Sequence, residues 1–141
     1  MRTVVYSGLV SLGLVASALP AAAAIGVNVD LASQRMRVFI DGKLAHDWAV
    51  SSGRSGHETP TGNFRPRRLE REWYSRQYDD APMPHAIFFS GGYAIHGTHE
   101  TRRLGRTASH GCIRLAPSNA RRLFELVDAH GTAQTRITID D

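Results

Sequence analysis

Cysteine is nearly absent from this sequence, since Cys112 is the only one among 141 residues. A lone thiol excludes an internal disulfide framework, because each disulfide needs two cysteines. The charge is also modest, formally +4, and the arginines between residues 65 and 80 are interleaved with acidic residues. Such interleaving is typical of a solvated face, whereas a nucleic-acid site needs a concentrated basic tract. We therefore expect no nucleic-acid partner, and the small basic excess indicates solubility.

Residues 1–24 have the pattern of a secretory signal peptide. Arg2 supplies the positive start, residues 4–19 are mostly apolar, and the alanine run before Ile25 fits the small-residue cleavage rule. Cleavage there leaves residues 25–141 as one domain with one core, in the periplasm or outside the cell and without a stable membrane span. The alternative is an uncleaved anchor, although the apolar run is shorter than the ~20 residues of a spanning helix. No cysteine stands at the cleavage site, which excludes lipid attachment there.

An unpaired thiol is unusual in an exported domain, where cysteines normally form disulfides. It indicates a free reactive thiol or an intermolecular bridge, and the retention of an oxidation-prone group favours chemistry. Small residues flank Cys112, and His96 lies sixteen residues upstream at the end of an apolar run. An imidazole with a pKa near ~6.5 can accept the proton of a thiol and later return one. We therefore predict that Cys112 is a nucleophile and His96 its base.

The residues alone leave other interpretations open. Cys112 could be a small buried hydrophobe and His96 a structural residue, as lone cysteines and histidines often are. His110 could be the base, although it lies two residues from Cys112 on a turn and would then point away. His96, His99, His110 and Cys112 could bind zinc, but their spacing matches none of the usual finger patterns. Because it lacks a Cβ, Gly111 would let a substrate carbonyl approach the Gly111 and Cys112 amides, which could stabilise an oxyanion.

Three segments, taken in order, resemble the signature of L,D-transpeptidases with a YkuD-type catalytic domain. They are Thr59-Pro60-Thr61-Gly62-Asn63-Phe64, Tyr93-Ala94-Ile95-His96-Gly97-Thr98 and Ala108-Ser109-His110-Gly111-Cys112-Ile113-Arg114-Leu115. The resemblance covers nearly all of the chain after residue 24. It implies a β-sandwich-like catalytic fold, an enzyme that needs no cofactor, and peptidoglycan stem peptides as substrates in cell-wall construction.

By the same resemblance, Cys112 attacks the third residue of a tetrapeptide stem, a diamino acid, and expels the terminal D-alanine. An amine on a second stem or on a protein then attacks the thioester, whereas water as acceptor would make the protein an L,D-carboxypeptidase. His96 serves as base and then as acid, oriented by the backbone carbonyl of Gly97. The backbone amides of His110, Gly111 and Cys112 form the oxyanion hole. A non-catalytic wall-binding module and a sortase-type transpeptidase are the remaining alternatives.

Four further residues are predicted to contact the substrate: Arg114, Ser109, Tyr93 and Met83. Arginine binds carboxylates through paired hydrogen bonds, so Arg114 could hold a carboxylate of the substrate. Equally, Arg114 could pair with an internal acid such as Asp128 or Glu125.

The fold class that we predict is mainly β with one main helix. Residue alternation predicts strands over residues 25–30, 35–40 and 135–139, and neighbouring turn signals predict strands over residues 44–51, 86–89 and 93–96. Asp41-Gly42 is a hairpin turn signal. Residues 59–62 carry turn chemistry, which we assign to sheet register rather than to catalysis, and Phe64 opens another short strand.

Two longer segments complete this prediction. Residues 70–84 show no periodicity, so we expect a long surface loop that could cover a substrate, with aromatic rings on the substrate or on the sheet edge. Pro117 suits the first turn of a helix, and Gly131 suits its end. Apolar residues at i, i+3, i+4 and i+7 from Ala120 give this helix one face toward the sheet.

Overall fold

The computed structural model describes residue 11, residues 13–17 and residues 23–141. Most of the predicted signal peptide therefore lies outside the described residues, while the predicted catalytic domain is described throughout. No helix within the described ranges is long and apolar enough to cross a membrane.

Short strands and one long helix, α1 (Pro117–His130), make up the described domain. In chain order the strands are β1 (Ile25–Asp30), β2 (Arg35–Ile40), β3 (Lys43–Ala49), β4 (Gly62–Phe64), β5 (Arg68–Glu70), β6 (Tyr74–Ser75), β7 (Ala81–Pro82), β8 (Ala86–Ser90), β9 (Tyr93–Gly97), β10 (Ile113–Leu115) and β11 (Thr135–Asp140). The predicted class, mainly β with one main helix, is confirmed.

The first sheet has the strand order β3-β2-β1-β11-β4, in which only β1 and β11 are parallel. Its strands β1 and β11 alternate between buried and more exposed residues, because one face packs on the core and the other does not. Asp41 and Gly42 join β2 to β3 with φ values of 49° and 78°. Both values are in the left-handed region that a tight two-residue hairpin needs, so the predicted turn is confirmed.

The second sheet has the order β10-β9-β8-β5 and is buried on both faces of its central strands. Ile87 and Phe89 of β8 join the main core, while Ala86 and Phe88 join a smaller cluster on the other side. Burial on both faces explains why β8 is a continuous apolar run rather than an alternating one. The smaller cluster also contacts Cys112, so it forms the floor beneath the thiol.

Helix α1 begins and ends where the sequence predicts. Pro117 occupies its first turn, and Gly131 ends it with a φ of 90°. Its apolar face, which includes Leu123 and Phe124, is buried in the core and packs on strands of both sheets. Burial of each such side chain contributes about 1.5–3 kcal/mol, so packing on the sheets stabilises the helix.

Three predicted elements differ from the structure in detail. The third strand covers Lys43–Ala49 rather than residues 44–51, and Phe64 ends β4 rather than opening a strand. Residues 70–84 are not a structureless loop, because β6 and β7 pair within them as a small hairpin. Two-residue strands carry too little periodicity to be detected in a sequence. Trp73 at the base of this hairpin packs on Phe88, whereas Tyr78 near its tip lies at the site described next.

Candidate active site

Parallel pairing of β9 and β10 brings the predicted nucleophile and base together. The register sets Ile113 beside Ile95 and Arg114 beside His96. Cys112 comes directly before β10, two residues before Arg114, so strand alternation directs both side chains to the face that carries His96. All three side chains line one cavity of about 460 Å³.

The imidazole of His96 is held as a neutral base. It is 6% exposed, and its Nδ1 lies 2.7 Å from the carbonyl oxygen of Gly97. Because a carbonyl only accepts, Nδ1 carries the hydrogen and Nε2 keeps a free lone pair. The pKa of His96 is lowered from 6.5 to about 4, chiefly by burial; the bond to Gly97 opposes this shift, and the charge of Arg114 adds to it. At neutral pH this ring can therefore accept a proton through Nε2.

Gly97 is fixed from both sides, which makes its carbonyl a rigid partner for His96. Its N–H donates to the carbonyl of Pro84 at 2.8 Å. A Cβ on Gly97 would lie 3.2 Å from the Pro84 ring and 3.3 Å from the Ala120 Cβ. Glycine is therefore needed for the close packing of β9 between the hairpin base and α1.

The thiol of Cys112 is neutral at neutral pH. Burial raises its pKa above the ordinary 9.0, against the lowering effects of the Ala94 backbone and Arg114. The Sγ–H donates to the carbonyl of Gly92 at 3.8 Å, a long and weak contact. With the pKa of the thiol raised and that of His96 lowered, the resting pair is a neutral thiol and a neutral imidazole. Proton transfer then has to accompany attack on the substrate.

Two hydroxyl groups hold the turn that carries Cys112. Ser109 Oγ accepts from the Gly111 N–H at 3.0 Å and donates to the Cys112 carbonyl at 2.5 Å. Thr59 Oγ1 donates to the Gly111 carbonyl at 2.8 Å. The Gly111 amide, predicted as an oxyanion donor, is thus already engaged in this structure. Within the described chain, the His110 and Cys112 amides make no such hydrogen bond.

Gly111 has a structural role that the sequence does not reveal. Its φ is +120°, and a Cβ there would lie 2.4 Å from the Tyr93 ring. The missing Cβ therefore leaves room for the ring of Tyr93, and the backbone conformation itself favours glycine.

The four predicted substrate contacts all line the cavity: Arg114, Ser109, Tyr93 and Met83. Ser109 also shapes the turn, as described above, and Met83 is nearly buried in the smaller cluster. The hairpin of β6 and β7 lies over one side of the cavity through Gln77, Tyr78 and Pro82. The segment predicted to cover a substrate therefore borders the site.

Arg114 has a partner that the sequence analysis missed. Its Nη1 lies 3.5 Å from Glu100 Oε2, and Arg103 contacts the same oxygen at 3.4 Å. The two acids proposed from sequence are engaged elsewhere, Glu125 with Arg121 and Asp128 with Arg71. Both proposed pairings were wrong, because Glu100, which also lines the cavity, lies closer to Arg114 than the acids of α1 do.

His110 lines the cavity and is held there by residues other than Cys112 and His96. Its Nε2 accepts from the Arg54 guanidinium at 3.0 Å, and its ring stacks on Tyr78 with centroids 3.9 Å apart. His57 meets the same ring edge-on at 5.1 Å. Burial and the nearby Arg54 charge lower the pKa of His110. With Nε2 occupied by Arg54, His110 is less suited than His96 to take the thiol proton.

Three residues of this site lacked a usable sequence signal for their role: Thr59, Tyr78 and Glu100. Thr59 stands in a recognisable segment, but its hydroxyl contact with Gly111 spans 52 residues.

The four residues considered for zinc do not form a cluster, since the described chain contains no group of three or more metal-ligating side chains.

Comparison with known proteins supports the same family over the whole domain. The sequence model described as "YkuD: L,D-transpeptidase catalytic domain" matches residues 25–139. The Escherichia coli (strain K12) protein named "Probable L,D-transpeptidase ErfK/SrfK" is 27% identical over 147 aligned residues, which cover 87% of this chain and 46% of that protein.

Two solved structures share the fold. An L,D-transpeptidase from Mycobacterium smegmatis has a TM-score of 0.74 and 22% identity, over 84% of this chain and 59% of that one. L,D-transpeptidase 3 from Mycobacterium tuberculosis, in complex with a faropenem-derived adduct, has a TM-score of 0.72 and 20% identity, over 84% of this chain and 60% of that one. The chain thus spans about half to three-fifths of the length of these relatives. Because the family match takes in residues 25–139, the chain belongs to the YkuD family of L,D-transpeptidase catalytic domains.

Proposed function

We propose that the protein is a cysteine-dependent L,D-transpeptidase that acts on tetrapeptide stems of peptidoglycan. The family match supports the reaction class. The products are free D-alanine and a stem joined through its third residue to an amine. That amine belongs to a second stem or to a protein.

The site can carry out both halves of this reaction. In the first, the Cys112 sulfur bonds to the carbonyl carbon of the third residue while His96 Nε2 takes the thiol proton. The carbon–nitrogen bond to D-alanine then breaks, and the proton on His96 goes to the leaving amine. In the second half, an acceptor amine attacks the thioester, His96 takes its proton, and the thiolate leaves and is reprotonated.

The negative oxygen formed in each half needs hydrogen-bond donors. The Gly111 amide is occupied by Ser109, so we assign this role to the Cys112 amide with that of His110. One such donor usually contributes about 3–4 kcal/mol to the transition state. If Gly111 also contributes, its bond to Ser109 has to break first.

One observation carries this proposal above all. A buried imidazole, with Nδ1–H fixed on the Gly97 carbonyl and a free Nε2, shares its cavity with the single thiol of the chain. Burial lowers the pKa of this imidazole to about 4, which keeps it in the basic form at neutral pH. A wall-binding module needs no base with an available lone pair beside a thiol.

The test is mass spectrometry of products from purified tetrapeptide muropeptides. The proteins compared are wild type, Cys112→Ala, His96→Ala and the matched control His130→Ala, whose histidine lies at the far end of α1. We expect loss of D-alanine and crosslinked dimer with wild type and His130→Ala, and neither product with the two site variants.

Other outcomes would overturn the proposal in distinct ways. D-alanine release without dimer, in the presence of saturating acceptor amine, would make the protein an L,D-carboxypeptidase. No turnover and no covalent adduct on Cys112 would favour a wall-binding module. Full activity of His96→Ala together with an inactive His110→Ala would transfer the role of base to His110.

We further propose that residues 1–24 direct export, so that the domain works in the cell envelope where peptidoglycan lies. The sequence pattern of this segment and the nature of the substrate support export. N-terminal analysis of the protein from an envelope fraction tests it. We expect a mature protein that begins at Ile25, and a cytoplasmic protein that retains Met1 would refute the proposal.

A further inference from the structure

Thr59 is buried behind the turn that carries Cys112 and makes two hydrogen bonds. Its side chain is 5% exposed, and Thr59 is not among the residues that line the cavity. Its Oγ1 accepts from the Gly53 N–H at 2.9 Å and donates to the Gly111 carbonyl at 2.8 Å. One hydroxyl therefore joins the segment after β3 to the peptide group that links Gly111 to Cys112.

The direction of the Cys112 N–H follows from that contact. In a trans peptide the carbonyl and the following N–H point in opposite directions, and the described chain has no cis peptide bond. When Thr59 holds the Gly111 carbonyl on the side away from the cavity, the Cys112 N–H has to face the cavity side. That N–H is the donor that the proposed reaction assigns to the oxyanion.

The support behind Thr59 is rigid. A Cβ on Gly53 would lie 1.9 Å from the His57 carbonyl oxygen, so this segment folds tightly back on itself. Gly53 also forms a bridge with Ser109, and the Arg54 N–H donates to the Ser109 carbonyl at 3.0 Å. Thr59 is thus attached to the same backbone that flanks the nucleophile turn, which suits it to fix the orientation of one peptide plane.

We propose that Thr59 is a positioning residue that directs the Cys112 N–H toward the oxyanion of the proposed transpeptidase. The role rests on the proposed function and adds to it a residue outside the cavity. Ser109 acts on the neighbouring groups, the Gly111 N–H and the Cys112 carbonyl. Together the two hydroxyls leave the Cys112 N–H free for the substrate.

Two reactions of the same thiol separate this role from a structural one. Faropenem acylates by addition of sulfur to the β-lactam carbonyl, and the ring carbon–nitrogen bond breaks as the nitrogen gains a proton. This route passes through an oxyanion. Iodoacetamide alkylates by displacement of iodide at a saturated carbon, and no oxyanion forms. A misdirected Cys112 N–H slows the first reaction only, whereas a disturbed thiol or fold slows both.

The variants are Thr59→Val, which keeps the shape and removes the hydroxyl, and Thr59→Ser, which keeps the hydroxyl. Thr59→Ala is a second hydroxyl-free variant in case the valine variant does not fold. We expect hydroxyl-free variants to acylate about 10-fold to 100-fold more slowly than wild type. This is a smaller loss of rate than removal of a whole oxyanion donor causes, because the Cys112 N–H is misdirected but still present. Their alkylation rate stays within about twofold of wild type. For the tetrapeptide we expect kcat to fall while KM changes little, because the oxyanion exists only in the transition state.

Each other outcome overturns the assignment. Equal loss of both reactions would give Thr59 a structural role, and unchanged acylation would give it none. If Thr59→Ser acylates more than about threefold more slowly than wild type, the slow acylation of the other variants comes from loss of the methyl group and not of the hydroxyl. A wild-type protein that reacts with neither faropenem nor tetrapeptide would refute the proposed function first, and with it the role of Thr59.

Discussion

The buried neutral imidazole of His96 has a consequence for stability that can be measured without a substrate. In the folded protein its pKa is lowered to about 4, whereas an unfolded chain holds it near the ordinary 6.5. Between these values the unfolded state binds more protons than the folded state. By proton linkage, the free energy of unfolding is then highest above pH 6.5 and falls as the pH drops toward 4.

The size of the effect follows from the two pKa values. A shift from 6.5 to about 4 corresponds to about 3 kcal/mol once both states are protonated. At pH 5 the ring is still neutral in the folded protein and mostly charged in the unfolded chain. The loss attributable to His96 between pH 7 and pH 5 is therefore about 2 kcal/mol. That is a large share of the stability of an ordinary domain.

Urea unfolding at pH 7 and pH 5 measures this loss in wild type and in His96→Gln. The comparison matters because burial also lowers the pKa values of His46, His85 and His110, which add to the wild-type pH dependence. Only the difference between the two proteins isolates His96. His110→Gln is the matched control, because its half-exposed ring should remove a smaller part of the pH dependence.

One result would refute the buried, neutral state of the His96 ring. If wild type and His96→Gln lose the same unfolding free energy between pH 7 and pH 5, the ring is not buried and neutral in solution. The acid limb of kcat/KM provides a second check, since it should lie near pH 4. If the difference in unfolding free energy between wild type and His96→Gln is as predicted but the acid limb lies near pH 6.5, the group that controls kcat/KM is not His96.

Three further predictions follow from the geometry of the site and the core. Because burial raises the pKa of Cys112, its alkylation by iodoacetamide should reach half its maximal rate above pH 9. Arg114→Gln should move that midpoint higher, because the charge of Arg114 lowers the pKa of the thiol. A midpoint below pH 9 would contradict a neutral resting thiol. Gly111→Ala should lower turnover of the tetrapeptide about 100-fold through misplacement of the turn, and the addition of Tyr93→Ala should recover part of it, as measured by D-alanine release. Full activity of Gly111→Ala would show that the turn tolerates the clash. Leu123→Ala should reduce the free energy of unfolding by about 3 kcal/mol in urea, because Leu123 is fully buried, and a loss under 1 kcal/mol would indicate a core that collapses around the cavity.

Local patterns account for most of the secondary structure that could be predicted. The strands Ile25–Asp30 and Arg35–Ile40 depend on alternation, and the turn after Ile40 depends on Asp41 and Gly42, two residues with positive φ. Helix α1 depends on a 3.6-residue apolar spacing with Pro117 and Gly131 at its ends. These features act over a few residues, so the sequence expresses them directly. The short hairpin of β6 and β7 is not expressed in this way, because each of its strands has only two residues and carries too little periodicity.

Residue identity alone indicated the chemistry of the site. A single thiol in a chain with a signal-peptide pattern, followed by Arg114 and preceded by His96, was enough to predict nucleophile and base. The tertiary structure decided how these groups are placed and charged. Register between β9 and β10, rather than spacing along the chain, sets His96 beside Arg114 and close to Cys112. Burial, which no single residue encodes, moves the pKa values of His96 and Cys112 in opposite directions.

Hydrogen bonds between segments far apart in the chain could not be predicted from the sequence either, because they depend on the tertiary structure. Sequence predicted three amides for the oxyanion, but Ser109 occupies that of Gly111, and Thr59 orients the next one. The sequence offers a substrate carboxylate or an acid such as Asp128 or Glu125 as the partner of Arg114, whereas in the structure Arg114 pairs with Glu100. Which chemical groups this protein has, and which local elements carry them, follow directly from the order of its residues. Only the folded chain decided which donors are free, which charges meet and which groups lose water, because these depend on contacts between residues far apart in the chain.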